Sequence, residues 1–255
     1  MPFEFRKTMI ILATLGCALV GIGEAIAVDE PVDESSSVMA AFDAWAEGLE
    51  SESGKDSSWE YPFGVPRPAD LSSQELKIIL SLRRLAWNRN NVELESLADQ
   101  VNRRQGELPV QLLFWLAYAQ NALQQNEACL ANLQRLLLFQ EGWRNLENGQ
   151  KAWVLTSTPD LFFLIGNREL AASLYERLAV SPVEQLNLWG KYQLAGMNFL
   201  AREFVKASER YSMVCEAELP GTWREHACSM AEIAGRLSQL GIKEETHGAV
   251  AISNP

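Results

Sequence analysis

VQLLFWLAYAQNALQQNEACLANLQRLLL, residues 110–138, is the stretch whose reading decides the fold. Its first half sets Leu113, Leu116 and Ala117 on one helical face, and its second half sets Cys129, Leu133 and Leu136 at the same kind of spacing. Apolar residues recurring every three to four positions mark an amphipathic helix, whereas a half-buried strand would alternate. The polar break Gln125-Asn126 between the two runs is too short for anything but a tight reversal, so the stretch reads as an antiparallel helix pair.

Working outward in both directions, the pattern recurs. Breaks at Arg89-Asn90-Asn91, Gly166-Asn167 and Ala201-Arg202 are each followed by a periodic run: Leu94, Leu97, Val101; then Ala171, Tyr175, Leu178; then Phe204, Ala207, Tyr211, Val214. Three capping boxes are expected, Ser72 with Glu75, Ser181 with Glu184 and Thr222 with Glu225, in which the hydroxyl takes an orphan N–H and the carboxylate reaches back. Pro182 follows Ser181 at a first helical position, and Pro109 and Pro159 suit the same role. No convincing alternating run appears, so residues 71–242 are expected to be all-α. A closing helix over 225–240 ends at Gly241, and 243–255 reads as a flexible tail.

Aligning Leu97, Cys129, Ala171 and Ala207 gives steps of 32, 42 and 36 residues, the long step containing the extra Glu141-Gly142-Trp143-Arg144-Asn145. With Leu113, Leu116-Ala117 and Leu194-Ala195 in leading helices, the region resembles the tetratricopeptide repeat family, in a degenerate form. It departs from the family in lacking the early Trp of the leading helix, in carrying Pro159 in the third pair and in lacking small residues in the first. The resemblance implies helix hairpins stacked as a solenoid, with a concave face formed by leading helices. Carried onto this chain, that face comprises Phe114, Tyr118, Asn121, Trp189, Tyr192 and Phe199. The family's clamp for a terminal carboxylate needs Lys and Asn where Phe114, Tyr118 and Tyr192 stand, so an extended or helical apolar segment is the expected ligand. The rings of Trp189 and Phe199 serve equally well as core.

The N-terminus reads as a secretory signal over residues 1–27: Arg6 and Lys7, an apolar run over 9–23, and Ala25-Ile26-Ala27 as a small-x-small cleavage pattern. The apolar run is shorter than the roughly 20 residues a bilayer span needs, so no membrane span is expected once the signal is removed. Export to a periplasmic or secreted location follows, and the lack of any Asn-x-Ser/Thr sequon favours a bacterial envelope. Residues 28–60 hold ten acids against one base, Lys55, whereas those after Glu60 hold 21 acids and 19 bases. The net charge of −11 therefore belongs mainly to an acidic, partly disordered segment, residues 28–70. Within it, residues 38–49 place Phe42, Trp45 and Leu49 at helical spacing. A short helix of this kind is marginal alone, so it docks on the body, serves as a recognition segment, or fills the repeat groove until a partner displaces it.

Acidity over the whole chain argues against a nucleic-acid partner, because phosphate binding wants a basic face. His226 and His247 lie in no metal-binding or nucleophile context, and no phosphate loop is present, so no cofactor, no metal and no enzymatic activity are expected. Past the signal the chain keeps Cys129, Cys215 and Cys228. An oxidising compartment favours one bridge, and Cys215 with Cys228 flank the turn Leu219-Pro220-Gly221-Thr222, while Cys129 sits in a small-residue slot. The expected function is an exported protein–protein interaction module, scaffold or adaptor, binding a peptide or protein segment. The alternative is a structural subunit of an envelope assembly, with an enzyme a distant third.

Overall fold

A computed structural model of the chain describes residues 34–52, 71–104, 106–139, 142–217 and 222–240. The signal-peptide reading with Ala25 and Ala27, the whole of the segment 53–70, and Gly241 with the tail over 243–255 lie outside the described residues. Among those described, ten α-helices and one 3-10 turn make up the regular structure, and no strand occurs. The helices are α1 (Glu34–Glu52), α2 (Ser73–Trp87), α3 (Asn91–Asn102), α4 (Val110–Ala122), α5 (Asn126–Leu138), α6 (Asn148–Leu164), α7 (Arg168–Ala179), α8 (Glu184–Leu200), α9 (Phe204–Cys215) and α10 (Thr222–Gln239). The 3-10 turn, Gly142–Asn145, precedes α6. The chain is all-α and falls into two compact units, a larger one drawn from residues 28–177 with 181–186, and a smaller one drawn from 178–180 and the chain after Leu186.

Local signals start the helices. Ser72 caps α2: its hydroxyl accepts from the Glu75 N–H at 3.2 Å, and the Glu75 carboxylate accepts from the Ser72 N–H at 2.7 Å. The Ser72 hydroxyl also lies 2.6 Å from the Glu75 carboxylate, and its bond together with that of the Ser72 N–H holds the Glu75 carboxyl below the usual carboxylate range. Ser181 behaves otherwise than expected. Its hydroxyl accepts from the Val183 N–H, two residues on, and α8 starts at Glu184, so Pro182 precedes the helix rather than opening it. Pro109 is the N-cap of α4, one residue before the first helical position. Pro159 is the larger correction, because it lies inside α6, which begins at Asn148. A proline there removes one rung of the ladder. The hydroxyls of Thr156 and Thr158 bond to the Ala152 and Val154 carbonyls one turn back, beside the interruption. The Thr222 side chain lies outside the described residues.

Four helix pairs close through one kind of turn. Arg89, Gln124, Gly166 and Arg202 all have φ between +55° and +95°, each two residues before the helix that follows. In three of them the next residue's N–H reaches back five positions, Asn90 to Leu85, Gln125 to Gln120 and Glu203 to Asn198, at 2.8–3.1 Å. The left-handed residue itself bonds three back, to Ala86, Asn121 and Phe199. This is the double-bonded end that satisfies carbonyls a helix leaves orphaned. The recurring turn also corrects the repeat register. Leu94, Cys129, Ala171 and Ala207 all stand fourth in their helices and are all inaccessible to solvent, so the first step is 35 residues rather than 32. Leu97, used in the sequence alignment, is one turn late and only half-buried.

The core of the larger unit is built around α4. Every residue from Val110 to Gln120 is buried, so α4 has no solvent face and is the centre of its unit. It packs against α2, α3 and α5. Cys129 donates from Sγ to the Ala117 carbonyl at 3.1 Å, where a small side chain lets α4 and α5 cross closely. Helix α1 lies against α5 and α6, longer than the expected 38–49 and firmly seated, with Val38, Phe42, Trp45 and Leu49 all at most 2% exposed. In the smaller unit α9 packs along α10, with Ala207, Tyr211 and Val214 meeting Ala227 and Ala234.

Candidate functional site

The six residues carried over from the repeat resemblance do not form an open surface. Phe114 and Tyr118 are 0% and 5% exposed, and both pack their rings on Trp153 of α6, with centroids 5.4 and 5.3 Å apart. The physical reason is the all-round burial of α4, whose aromatics fill the space between helices instead of lining a groove. Asn121, at the end of that helix, is half-buried. Tyr192 is buried too, stacked on Trp189 and edge-on to Tyr211 and Trp223. Its hydroxyl pairs with His226 Nδ1 at 2.7 Å. Burial pushes the Tyr192 phenol up and the His226 imidazole down, so the pair is a hydrogen bond between two neutral groups. Trp189 and Phe199 are half-buried.

On the same helix the Trp189 indole N–H and the Gln193 amide nitrogen, one turn apart, are shut off from solvent and meet no acceptor among the described residues.

Cys215 and Cys228 are joined in a disulfide, with Cα atoms 4.8 Å apart, tying the last residue of α9 to the second turn of α10. Cys129 is a buried thiol outside the disulfide. Among the described residues no cluster of His, Cys, Asp and Glu suits a metal ion, and no helix is long and apolar enough to cross a membrane.

Two features of the larger unit bear on binding. The first is a cleft of about 720 Å³ at the N-terminal ends of α4 and α6, beside the 3-10 turn. Gln111 lines it and is engaged by Gln150: Gln111 Nε2 donates to Gln150 Oε1 at 3.0 Å and to the Asn145 carbonyl at 2.7 Å, and Gln150 Nε2 returns a bond to Gln111 Oε1 at 3.2 Å. These amides are spent on one another, so the pair is a strut between α4 and α6. Lys151, 2% exposed, and Arg144 line the walls with Glu147 and Glu107. Sequence reasoning passed over Gln111 and Gln150. The available signal was a lone amide inside the apolar run over 110–119.

The second feature is the groove that holds α1. Its base comes from α5 and α6, and at one edge the Trp45 indole N–H donates to the Leu137 carbonyl at 3.1 Å. Leu137 is next to last in α5, so its carbonyl has no partner within the helix, and the indole completes the helix end. At the other edge Asp43 pairs with Arg177 of α7, both partly exposed. α1 is therefore held by an apolar stripe, one carbonyl acceptor and one cation. Comparison with protein-family models, curated proteins and solved structures gives no match for this chain.

Proposed function

We propose that the chain is an exported helical-repeat module, similar to tetratricopeptide proteins, that binds a protein or peptide segment and performs no catalysis itself. The observation that carries this reading is the recurring hairpin: one left-handed turn, at Arg89, Gln124, Gly166 and Arg202, closes four helix pairs at steps of 35, 42 and 36 residues. Helix pairs repeated at about that length are the construction unit of solenoid proteins, whose common use is to hold polypeptide segments. Export is supported separately by the Cys215–Cys228 bridge, since such bonds persist in oxidising compartments and are rare in the cytosol.

Binding is placed at a helix-accepting surface rather than at the aromatic face first expected, because Phe114, Tyr118 and Tyr192 are spent on packing. The test is site-specific photocrosslinking in the native cell, with the crosslinker on exposed positions of the larger unit such as Ala131 in α5 and, as control, Glu95 in α3. A discrete protein adduct from one face and none from the other supports the module. The absence of adducts from every position tried, in cells that export the chain, refutes it.

A further inference from the structure

α1 is seated as a ligand helix would be. Its buried residues, Val38, Phe42, Trp45 and Leu49, follow steps of four, three and four, the single stripe by which an amphipathic helix lies in an apolar groove. Its outward positions are Ser36, Ser37, Ala40, Ala44 and Glu47, all exposed. The body closes its own hairpins through turns to which α1 contributes no bond. Twenty residues, 53–72, join α1 to α2, a contour of up to about 66 Å. That reach lets α1 leave the groove with α2 through α7 undisturbed.

Departure of α1 would leave three things behind: an apolar trough on α5 and α6, the open Leu137 carbonyl, and the Arg177 guanidinium. Together they specify an occupant. It is a helix with apolar residues at four-three-four spacing, an indole or equivalent donor at the third of them, and a carboxylate two positions before that donor. We infer that the α5–α6 groove is the docking site for such an amphipathic helix of a partner protein, and that α1 is its tethered competitor in cis. The inference rests on the interaction-module reading and names the site and the ligand class for it.

The tether sets the terms of competition. A tether of twenty residues holds its ligand at an effective concentration of about millimolar, so a partner present at micromolar levels must bind the empty groove about 10³-fold more tightly than α1 does in order to displace it. Partner binding is then low until that affinity is met, which protects the groove from casual apolar segments.

The experiment uses the full chain without residues 1–27 and, as probe, a fluorescent peptide of sequence Glu34–Glu52. Phe42→Ala with Trp45→Ala in the chain empties the groove and leaves its walls intact. Peptide affinity for this variant should exceed that for the unaltered chain at least tenfold. Arg177→Glu added to it should weaken the peptide, and Asp43→Arg in the peptide should restore binding. Equal affinity for the two chains overturns the proposal, as does failure of the peptide to bind a variant whose circular dichroism shows α2–α10 folded. Should the double variant unfold, hydrogen exchange on the unaltered chain decides: α1 amides must open well before those of α4, and equal protection overturns the proposal. Doubling of the chain's mass, lost with Trp45→Ala, assigns the groove to a second copy's α1 and overturns the partner-protein reading. A photocrosslinked partner found on another face would leave the module reading standing while this one fails.

Discussion

Removing the Cys215–Cys228 bridge by replacing both residues with Ser is the sharpest perturbation of the smaller unit. The bond spans 13 positions of sequence and closes the turn between α9 and α10. In the chain-entropy account, a loop of that length restricts the unfolded chain enough to contribute about 3 kcal/mol. Without it α10 is still held by the packing of Ala227 and Ala234 on Ala207, Tyr211 and Val214, by Trp223 and His226 against Tyr192, and by the Ser208 hydroxyl donating to the Ala231 carbonyl at 3.0 Å. The unit should therefore stay folded at low temperature and lose only the contribution of the covalent tie. For a unit of this size 1 kcal/mol moves the melting midpoint by about 4–8 °C, and the expected loss is about 12–24 °C. Trp223 in α10, edge-on to Tyr192 with centroids 5.9 Å apart, reports the transition by fluorescence. The unaltered protein should drop by the same amount when reductant is added, and the double variant should not respond to it. Midpoints within about 1 °C of one another refute the reasoning. So does a count of three free thiols, rather than one, on denatured and unreduced chain lacking residues 1–27.

Phe114→Ala should cost about 3–5 kcal/mol, read as a fall in the urea midpoint, because the ring is fully buried against Trp153; a change under 1 kcal/mol would return Phe114 to a surface role. At the repeated turns, Gln124→Gly and Arg202→Gly should each raise stability by up to about 1 kcal/mol, and Gly166→Ala should lower it by about 1–2 kcal/mol, since left-handed backbone costs residues bearing a Cβ. Thermal melts of the three variants check both signs together. His226 sets an acid limit on the smaller unit: burial lowers its imidazole below the usual 6.5, so the folded state binds fewer protons than the unfolded one. Its contribution is therefore complete above the unfolded value and is lost as pH falls below about 6.5 through the folded value. The melting midpoint should decline from pH 7.5 to pH 5, and His226→Gln should flatten that decline; an unchanged slope would remove His226 as its cause.

Helix class, helix number and the places where the chain reverses are legible in residues close together in sequence. Ser72 with Glu75 starts α2, and the breaks beginning at Arg89, Gln125, Gly166 and Ala201 all lie at the observed reversals. These signals act through hydrogen bonds spanning three to five residues, so a linear reading reaches them. The pairing of Cys215 with Cys228 was accessible for the same reason, as two neighbours across one turn. The tertiary structure decided what those helices meet. Periodicity shows that Phe114, Tyr118 and Tyr192 are apolar positions, yet a ring facing a groove and a ring facing a third helix carry the same pattern. Only the packing of α2, α3 and α5 about α4, with α6's Trp153 against its rings, makes Phe114 and Tyr118 core, and only Tyr211 of α9 and Trp223 of α10 make Tyr192 core. The one-turn slip from Leu97 to Leu94 has the same origin, since both are leucines on one face and it is the left-handed Arg89, with the Asn90 cap after it, that fixes where α3 begins. The seat of α1 is the most distant case. Trp45 meets the carbonyl of Leu137, 92 residues away, and Asp43 meets Arg177, 134 residues away, partnerships that depend on three-dimensional proximity and leave no mark on either stretch of sequence.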